Sequence, residues 1–208
     1  MSNSLLQVRE VACERGGRSL FQPISFSLEA GAALHLEGDN GAGKTTLLRS
    51  LSGLSPLLQG EVLWRGVPTS TAASDFKHDL LYLGHALGLK DELTALENVQ
   101  LNAALAGQTI NREEALQALA TQGLKSRAHL PLRVLSQGQK RRVALARLQV
   151  AQATLWLLDE PFVALDAAAV QALQLLLQQH LAQGGAMVFT SHQAVDLGAV
   201  VQTVRLQA

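Results

Sequence analysis

Eight consecutive residues, Gly38-Asp39-Asn40-Gly41-Ala42-Gly43-Lys44-Thr45, have the types and spacing that handle phosphate. They fit the pattern GxxxxGK[ST]. Glycines let backbone N–H groups face an anion with no Cβ in the way, and a helix that follows adds the positive end of its dipole. Lys44 is placed to reach the β- and γ-phosphates of a nucleoside triphosphate such as ATP. Thr45 is placed to bind Mg²⁺, with Thr46 beside it in the same turn. Farther along, Leu155-Trp156-Leu157-Leu158 runs into Asp159-Glu160. Two carboxylates at the C-terminal end of a buried strand sit on the edge where open α/β sheets bind ligands. Asp159 is expected to hold Mg²⁺ through water, and Glu160 to orient and polarise an attacking water.

Leu135-Ser136-Gln137-Gly138-Gln139 makes a second anion-binding end. A serine hydroxyl, bare backbone N–H groups and a helix dipole coincide there. Lys44 and Asp159 already complete one phosphate site, so the second suggests a γ-phosphate contacted across a dimer interface. His192 follows Thr190-Ser191 at the end of another buried strand, where an imidazole can hydrogen-bond the γ-phosphate or the water.

The elements that must position these residues are readable from periodicity. Leu5–Val11 and Ile24–Leu28 alternate as strands, with a turn at Gly16-Gly17 between them. Leu34–Glu37 is a short strand that feeds the glycine loop, and Leu47, Leu48 and Leu51 share one face of the helix after it. Gly60–Trp64 and Leu80–Leu83 are further strands. From about Ala86 to Val150 the pattern is helical. Thr94/Glu97 and Asn111/Glu114 have capping-box spacing, Pro131 interrupts, and Ser136 opens another helix. Leu155–Leu158 and Ala186–Phe189 fit parallel strands covered on both faces. Between them Asp166 caps a helix bearing Val170, Leu173, Leu177 and Leu181, which Gly184 stops. This predicts one α/β domain over 1–208: a nucleotide-binding core with an N-terminal β part (1–84 and 151–208), interrupted by a helical insert (85–150).

Composition agrees. The chain has 208 residues, 48% hydrophobic, enough for a sizeable core. Lys+Arg and Asp+Glu are both 17, so no basic groove for nucleic acid is implied. The single cysteine, Cys13, excludes an internal disulfide and suits a reducing cytoplasm. The first residues lack the apolar block of a signal peptide, and no apolar run is long enough to span a membrane, so a membrane role requires a partner. His35, His78, His129 and His180 are scattered and read as surface or satisfied core histidines. With no CxxCH, they make no convincing haem site.

In order along the chain, Gly38–Thr45, Leu135–Gln139, Asp159-Glu160, Ala164-Leu165-Asp166 and His192 resemble the motifs of the ABC ATPase family over nearly the whole length. The resemblance implies a P-loop NTPase core of RecA-like, mostly parallel sheet with an N-terminal antiparallel β subdomain and an inserted helical subdomain. It implies that these motifs are Walker A, signature, Walker B, D-loop (with Asp166) and switch histidine. It further implies a head-to-tail dimer with each ATP between one subunit's Lys44 and the other's Ser136 and Gly138, and a helical insert that meets a membrane-embedded partner. Three positions depart from the family pattern. Gln137 replaces the second signature glycine. Gly84-His85 stands where the Q-loop glutamine belongs, so His85 would sense the γ-phosphate through water. Arg15 lies where an aromatic usually stacks on adenine, and its guanidinium plane would take that role.

Tyr82-Leu83-Gly84-His85, Gly88-Leu89-Lys90, Leu93–Asn98, Gln139–Leu148 and Leu155–Phe162 resemble more narrowly the ATP-binding subunits of bacterial cytochrome c maturation (Ccm) systems. That resemblance implies haem export, or release of the haem chaperone CcmE, with membrane subunits like CcmB, CcmC and CcmD. It implies a place on the cytoplasmic face of the inner membrane. The ATPase of another short exporter, or a soluble non-transport ABC protein, would carry the same ATP motifs.

Overall fold

The computed structural model describes residues 4–193 and 195–207. The chain divides into two compact units: residues 1–84, 153–160 and 178–208 form the first, and residues 85–152 and 161–177 the second.

The first unit carries two sheets. The strands β1 (Ser4–Ala12), β4 (Ile24–Glu29), β6 (Gln59–Trp64) and β7 (Val67–Pro68) form an antiparallel sheet in the order β4-β1-β6-β7. The glycine pair Gly16-Gly17, both at positive φ, turns as expected, but within an extra short hairpin of β2 (Glu14–Arg15) and β3 (Arg18–Ser19). Gly60 is required where β6 crosses a bulge in β1. It has φ +84, and a Cβ there would stand 2.4 Å from the carbonyl oxygens of Arg9 and Glu10.

The other sheet is fully parallel: β5 (Ala33–Glu37), β8 (Leu80–Leu83), β9 (Leu155–Leu158), β10 (Ala186–Phe189) and β11 (Val201–Arg205), in the order β11-β5-β10-β9-β8. Strands β9 and β10 are buried at every position, as continuous apolar runs require in a sheet covered on both faces. The edge strand β11 was not foreseen, because its side chains are nearly all exposed and its sequence VQTVR carries no buried run. Helix α1 (Lys44–Leu51) follows β5 and buries Leu47, Leu48 and Leu51. A short helix α2 (Ala73–His78), also unforeseen, has one buried residue, Phe76. One apolar core joins Leu6, Val8 and Leu28 with Leu34, Leu36, Leu47, Leu48, Leu155 and Val188, so the strand that feeds the glycine loop is anchored in it. Cys13 lies buried in this core, its thiol on Ser50 Oγ at 3.4 Å.

The second unit contains α3 (Ala95–Leu105), α4 (Arg112–Thr121), α5 (Gln137–Val150) and two single 3₁₀ turns at Lys125–Arg127 and Leu132–Val134. All three helices open with a reciprocal capping box: Thr94/Glu97 and Asn111/Glu114, as expected from sequence, and also Ser136/Gln139, where the sequence predicts only a helix start. The helical pattern expected from Ala86 begins instead at Ala95. Between them the backbone is irregular and bonds partly to other backbone groups and partly to one side chain. Asn98, fully buried, accepts from Lys90 N at 2.7 Å and donates to the carbonyls of Lys90, Leu93 and Thr94. A buried amide with both ends satisfied is a strong local constraint. Lys140 on α5 pairs with Asp91 of the same segment at 2.6 Å. Helix α6 (Ala167–Ala182) starts in this unit, with Asp166 Oδ1 accepting from Ala169 N at 2.9 Å, and ends in the first.

At the end of α6, His180 stacks on Trp156 with ring centroids 3.8 Å apart and planes 10° from parallel. Its Nε2 faces the Ala186 carbonyl at 3.3 Å. Burial pushes its pKa down, partly opposed by hydrogen bonds to the Ala186 and Thr154 carbonyls. A base kept neutral by burial stabilises the fold above its unfolded pKa of roughly 6.5, and that contribution is lost as pH falls towards the lower folded value. Thermal unfolding midpoints are therefore expected to drop between about pH 7.5 and pH 5. His180→Phe, which keeps a ring over Trp156 and cannot charge, should show a shallower drop in the same series of melts.

Candidate functional site

Three parallel strands, β5, β9 and β10, end side by side, and their C-terminal ends deliver the candidate residues of the first unit. The glycine loop leaves β5 with Gly38, Gly41 and Gly43 at φ +148, +88 and +100. Gly43 is also hemmed in: a Cβ there would lie 2.9 Å from the ring of buried Phe21. No side chain caps α1 at Gly43, so the first-turn N–H groups of Lys44, Thr45 and Thr46 remain available to an anion. Lys44 Nζ donates to the Gly38 carbonyl at 2.5 Å and the Asp39 carbonyl at 3.1 Å, which holds the ammonium over the loop. A cavity of about 570 Å³ opens here, lined by Gly38, Asp39, Lys44, His35, Glu37 and His192 among others.

Asp159 is buried at the end of β9 and binds two hydroxyls. Thr45 Oγ1 donates to its Oδ2 at 2.7 Å, and Thr190 Oγ1 donates to its Oδ1 at 2.9 Å. Thr45 and Asp159 supply adjacent hard oxygen donors. This suits Mg²⁺, which takes one or two protein oxygens and fills its remaining positions with water and phosphate. Among the described residues there is no cluster of three His, Cys, Asp or Glu that could hold a metal.

Glu160 has φ +49, a left-handed backbone that a residue with a Cβ adopts only under constraint, at a cost of about 1–3 kcal/mol. Thr190 Oγ1 accepts from Glu160 N at 2.8 Å and so helps hold it there. The carboxylate is partly buried, and its Oε1 faces His192 Nε2 at 3.4 Å. His192 is exposed in the turn after β10. Thr190 thus touches both acidic positions. Sequence reasoning used it only as a neighbour of His192, since a lone threonine at a strand end carries no signal of its own.

Tyr82 lies near the same strand ends. Its ring folds over Gly84, where a Cβ would come within 2.5 Å of the phenol oxygen. Burial first, then the negative charge of Asp159, push its pKa up against a smaller pull from Arg49, so it stands by Asp159 as a neutral hydroxyl. Arg15 is exposed on the β2–β3 hairpin, and His85 is exposed at the first position of the second unit.

In the second unit Ser136 Oγ accepts from Gln139 N at 3.3 Å, and Gln139 Oε1 accepts from Ser136 N at 2.9 Å. The N–H groups of Gln137 and Gly138, in the first turn of α5, have no carbonyl within the helix to reach. Leu135 is buried and anchors the motif, while Ser136 and Gln137 are exposed. Arg142 on α5 pairs with Asp166, whose carboxyl is held below the usual range by the Ala169 N–H first and by Arg142.

A glycine loop opening a helix, with a threonine and a buried aspartate together and a strained glutamate beside them, defines a P-loop nucleotide-hydrolysing domain. The family model described as ABC transporter matches residues 21–163. Curated relatives agree over nearly their full lengths. The cytochrome c biogenesis ATP-binding export protein CcmA of Dechloromonas aromatica is 49% identical over 97% of this chain and 100% of its own. That of Albidiferax ferrireducens is 48% identical over 98% and 97%. An ABC transporter ATP-binding protein of known structure from Pyrococcus furiosus superposes with a TM-score of 0.82 at 26% identity, covering 95% of this chain and 96% of that one. A dimeric post-hydrolysis state of an ATP-binding cassette bound to ADP and Pi shares the fold, with a TM-score of 0.80 at 24% identity over 90% and 88%. The chain belongs to the ABC transporter family, among the ATPase subunits of cytochrome c biogenesis.

Thr190→Val removes the hydroxyl that serves both Asp159 and Glu160 while keeping the side-chain shape. It is expected to lower ATP turnover by about tenfold, the rate factor attached to about 1.4 kcal/mol, with ATP affinity little changed. Steady-state hydrolysis alongside nucleotide titration checks this.

Proposed function

We propose that this chain hydrolyses Mg-ATP as one half of a head-to-tail pair of cassettes, and that the turnover drives a membrane complex of cytochrome c biogenesis. The observation that carries the reading is the backbone of Glu160. It is held at φ +49 by Thr190, next to the Thr45–Asp159 pair, with its carboxylate facing His192. Backbone strain of this kind persists where the surroundings over-determine it, and it places the carboxylate.

In this reading the loop from Gly38 to Thr46, with N–H groups of Asp39, Asn40, Gly41, Gly43, Thr45 and Thr46, and the Lys44 ammonium bind the β- and γ-phosphates, while the Ala42 N–H closes the loop on the Asp39 carbonyl at 3.1 Å. Thr45 and Asp159, the latter through water, hold Mg²⁺, which when bound neutralises charge on the phosphate oxygens. Glu160 accepts a hydrogen bond from the attacking water and orients it in line with the γ-phosphate. His192 donates to the γ-phosphate. Ser136 and Gly138 of the second subunit close the site with a hydroxyl and helix N–H groups, which adds charge stabilisation only when two cassettes meet. Leu135, Gln137 and Gln139 shape that end, and Asp166 ties it to α6. His85 relays the state of the γ-phosphate through water, and Arg15 stacks on the base.

No helix among the described residues is long and apolar enough to cross a membrane. The likeness to cytochrome c biogenesis ATP-binding export proteins supports placing the chain at the cytoplasmic face of the inner membrane through integral subunits of the CcmB, CcmC and CcmD kind, with CcmE acting downstream.

Ser136→Arg is expected to abolish hydrolysis while sparing ATP binding by the single subunit. Mixed with Lys44→Ala protein, it should regain at most one working site per dimer. Activity in Ser136→Arg alone would contradict the paired site. For the process, deletion of the gene in its host should remove covalent haem from periplasmic and membrane cytochromes, restored by wild type and not by Lys44→Ala. Unchanged covalent-haem staining would leave the ATP chemistry standing and assign it to another membrane partner.

A further inference from the structure

We infer that His35 is a positioning residue for the turn that carries His192, an inference that rests on His192 acting at the γ-phosphate. His35 sits on β5, three residues before the glycine loop, with its side chain only 19% exposed. Its ring stacks on Phe189 of β10, with centroids 4.9 Å apart and planes 12° from parallel. Its Nε2 lies 3.1 Å from the carbonyl oxygen of Ser191. A carbonyl can only accept, so Nε2 carries the proton and donates. Glu37 Oε1 faces the other ring nitrogen, Nδ1, at 3.4 Å.

The bonded carbonyl belongs to the peptide that leads directly into His192. The other side of the same turn is closed by Ser191 itself, whose Oγ donates to the Gln193 carbonyl at 2.9 Å and accepts from Gln193 N at 3.0 Å. His192 therefore stands at the centre of a turn gripped at its first carbonyl by His35 and across its span by Ser191. His35, Lys44 and His192 line the same cavity of about 570 Å³. The grip joins the strand that feeds the glycine loop to the turn that must follow the γ-phosphate. An exposed side chain in a short turn gains little from packing, so one hydrogen bond to its backbone has a large share in deciding where the imidazole stands.

Two substitutions separate the donor from the ring. His35→Phe keeps the stack on Phe189 and loses the donor. His35→Gln keeps a donor and loses the ring. His35→Phe is expected to lower kcat about tenfold with KM for ATP within about twofold, and His35→Gln to stay within about threefold of wild type. In a His192→Ala background His35→Phe should change turnover by less than about twofold, because the residue it positions is gone. His35→Leu serves the same comparison if the phenyl ring prevents folding, with thermal melts reporting on the fold. An equal loss in the His192→Ala background, a higher KM in place of a lower kcat, or His35→Gln slower than His35→Phe would overturn the inference. Wild-type turnover by His192→Ala would instead remove the role of His192 on which it rests.

Discussion

Asp159 binds one hydroxyl with each carboxylate oxygen, Thr45 at the start of α1 and Thr190 at the end of β10. The two bonds fasten the glycine loop, the acidic strand end and the histidine turn at one buried carboxylate. An ionised carboxylate is tolerable in a buried place only when its oxygens are well supplied with donors. Thr190 then uses its remaining acceptor capacity on Glu160 N and sets the strained backbone of the next residue. A single side chain thereby bonds to both neighbouring acidic residues, the Asp159 carboxylate and the Glu160 backbone.

Packing in the sheet makes that arrangement durable. The residues before each functional position are among the most buried in the chain: Leu34 and Leu36 before the glycine loop, Leu157 and Leu158 before Asp159, Val188 and Phe189 before Thr190. The second unit relies on a different device. Asn98 binds the backbone of Lys90, Leu93 and Thr94, and Lys140 pairs with Asp91, so the segment ahead of α3 is tied to the helix that begins at the signature serine. Arg147, farther along α5, reaches the Leu87 carbonyl at 3.4 Å, and its burial pushes its pKa down. The signature end of α5 and the segment from Leu87 to Thr94 are in this way held together.

Much of this was legible in the residues. The glycine loop, the Leu155–Glu160 run, the capping boxes at Thr94 and Asn111 and the buried strands carry strong local signals, because spacing and apolar runs decide them without help from distant chain. What escaped notice depends on partners far apart in sequence. Thr190 and Tyr82 acquire meaning only beside Asp159, and His35 only beside Ser191, 156 residues away. Segment 86–94 reads as helical by composition yet is irregular, with Gly88 at positive φ and a turn at Asp91-Glu92, and Asn98 binds the backbone at Lys90 and Leu93 from the first turn of α3. Strand β11 has too little buried surface to mark it, and it exists because β5 offers an edge to pair with. Phe21, buried against Gly43, explains why that loop glycine tolerates no side chain, a constraint that the phosphate pattern alone does not reveal.

In the proposed function the strained Glu160 orients the water that attacks ATP. Replacing it by glutamine keeps its size and hydrogen-bonding reach and removes its charge and basicity. Single-turnover hydrolysis by Glu160→Gln protein, measured beside its ATP affinity, tests the claim directly. The expected result is affinity close to wild type, a hydrolysis step slowed by about a thousandfold and a dimer that persists with ATP bound. Hydrolysis at the wild-type rate would contradict it and assign the water to another base.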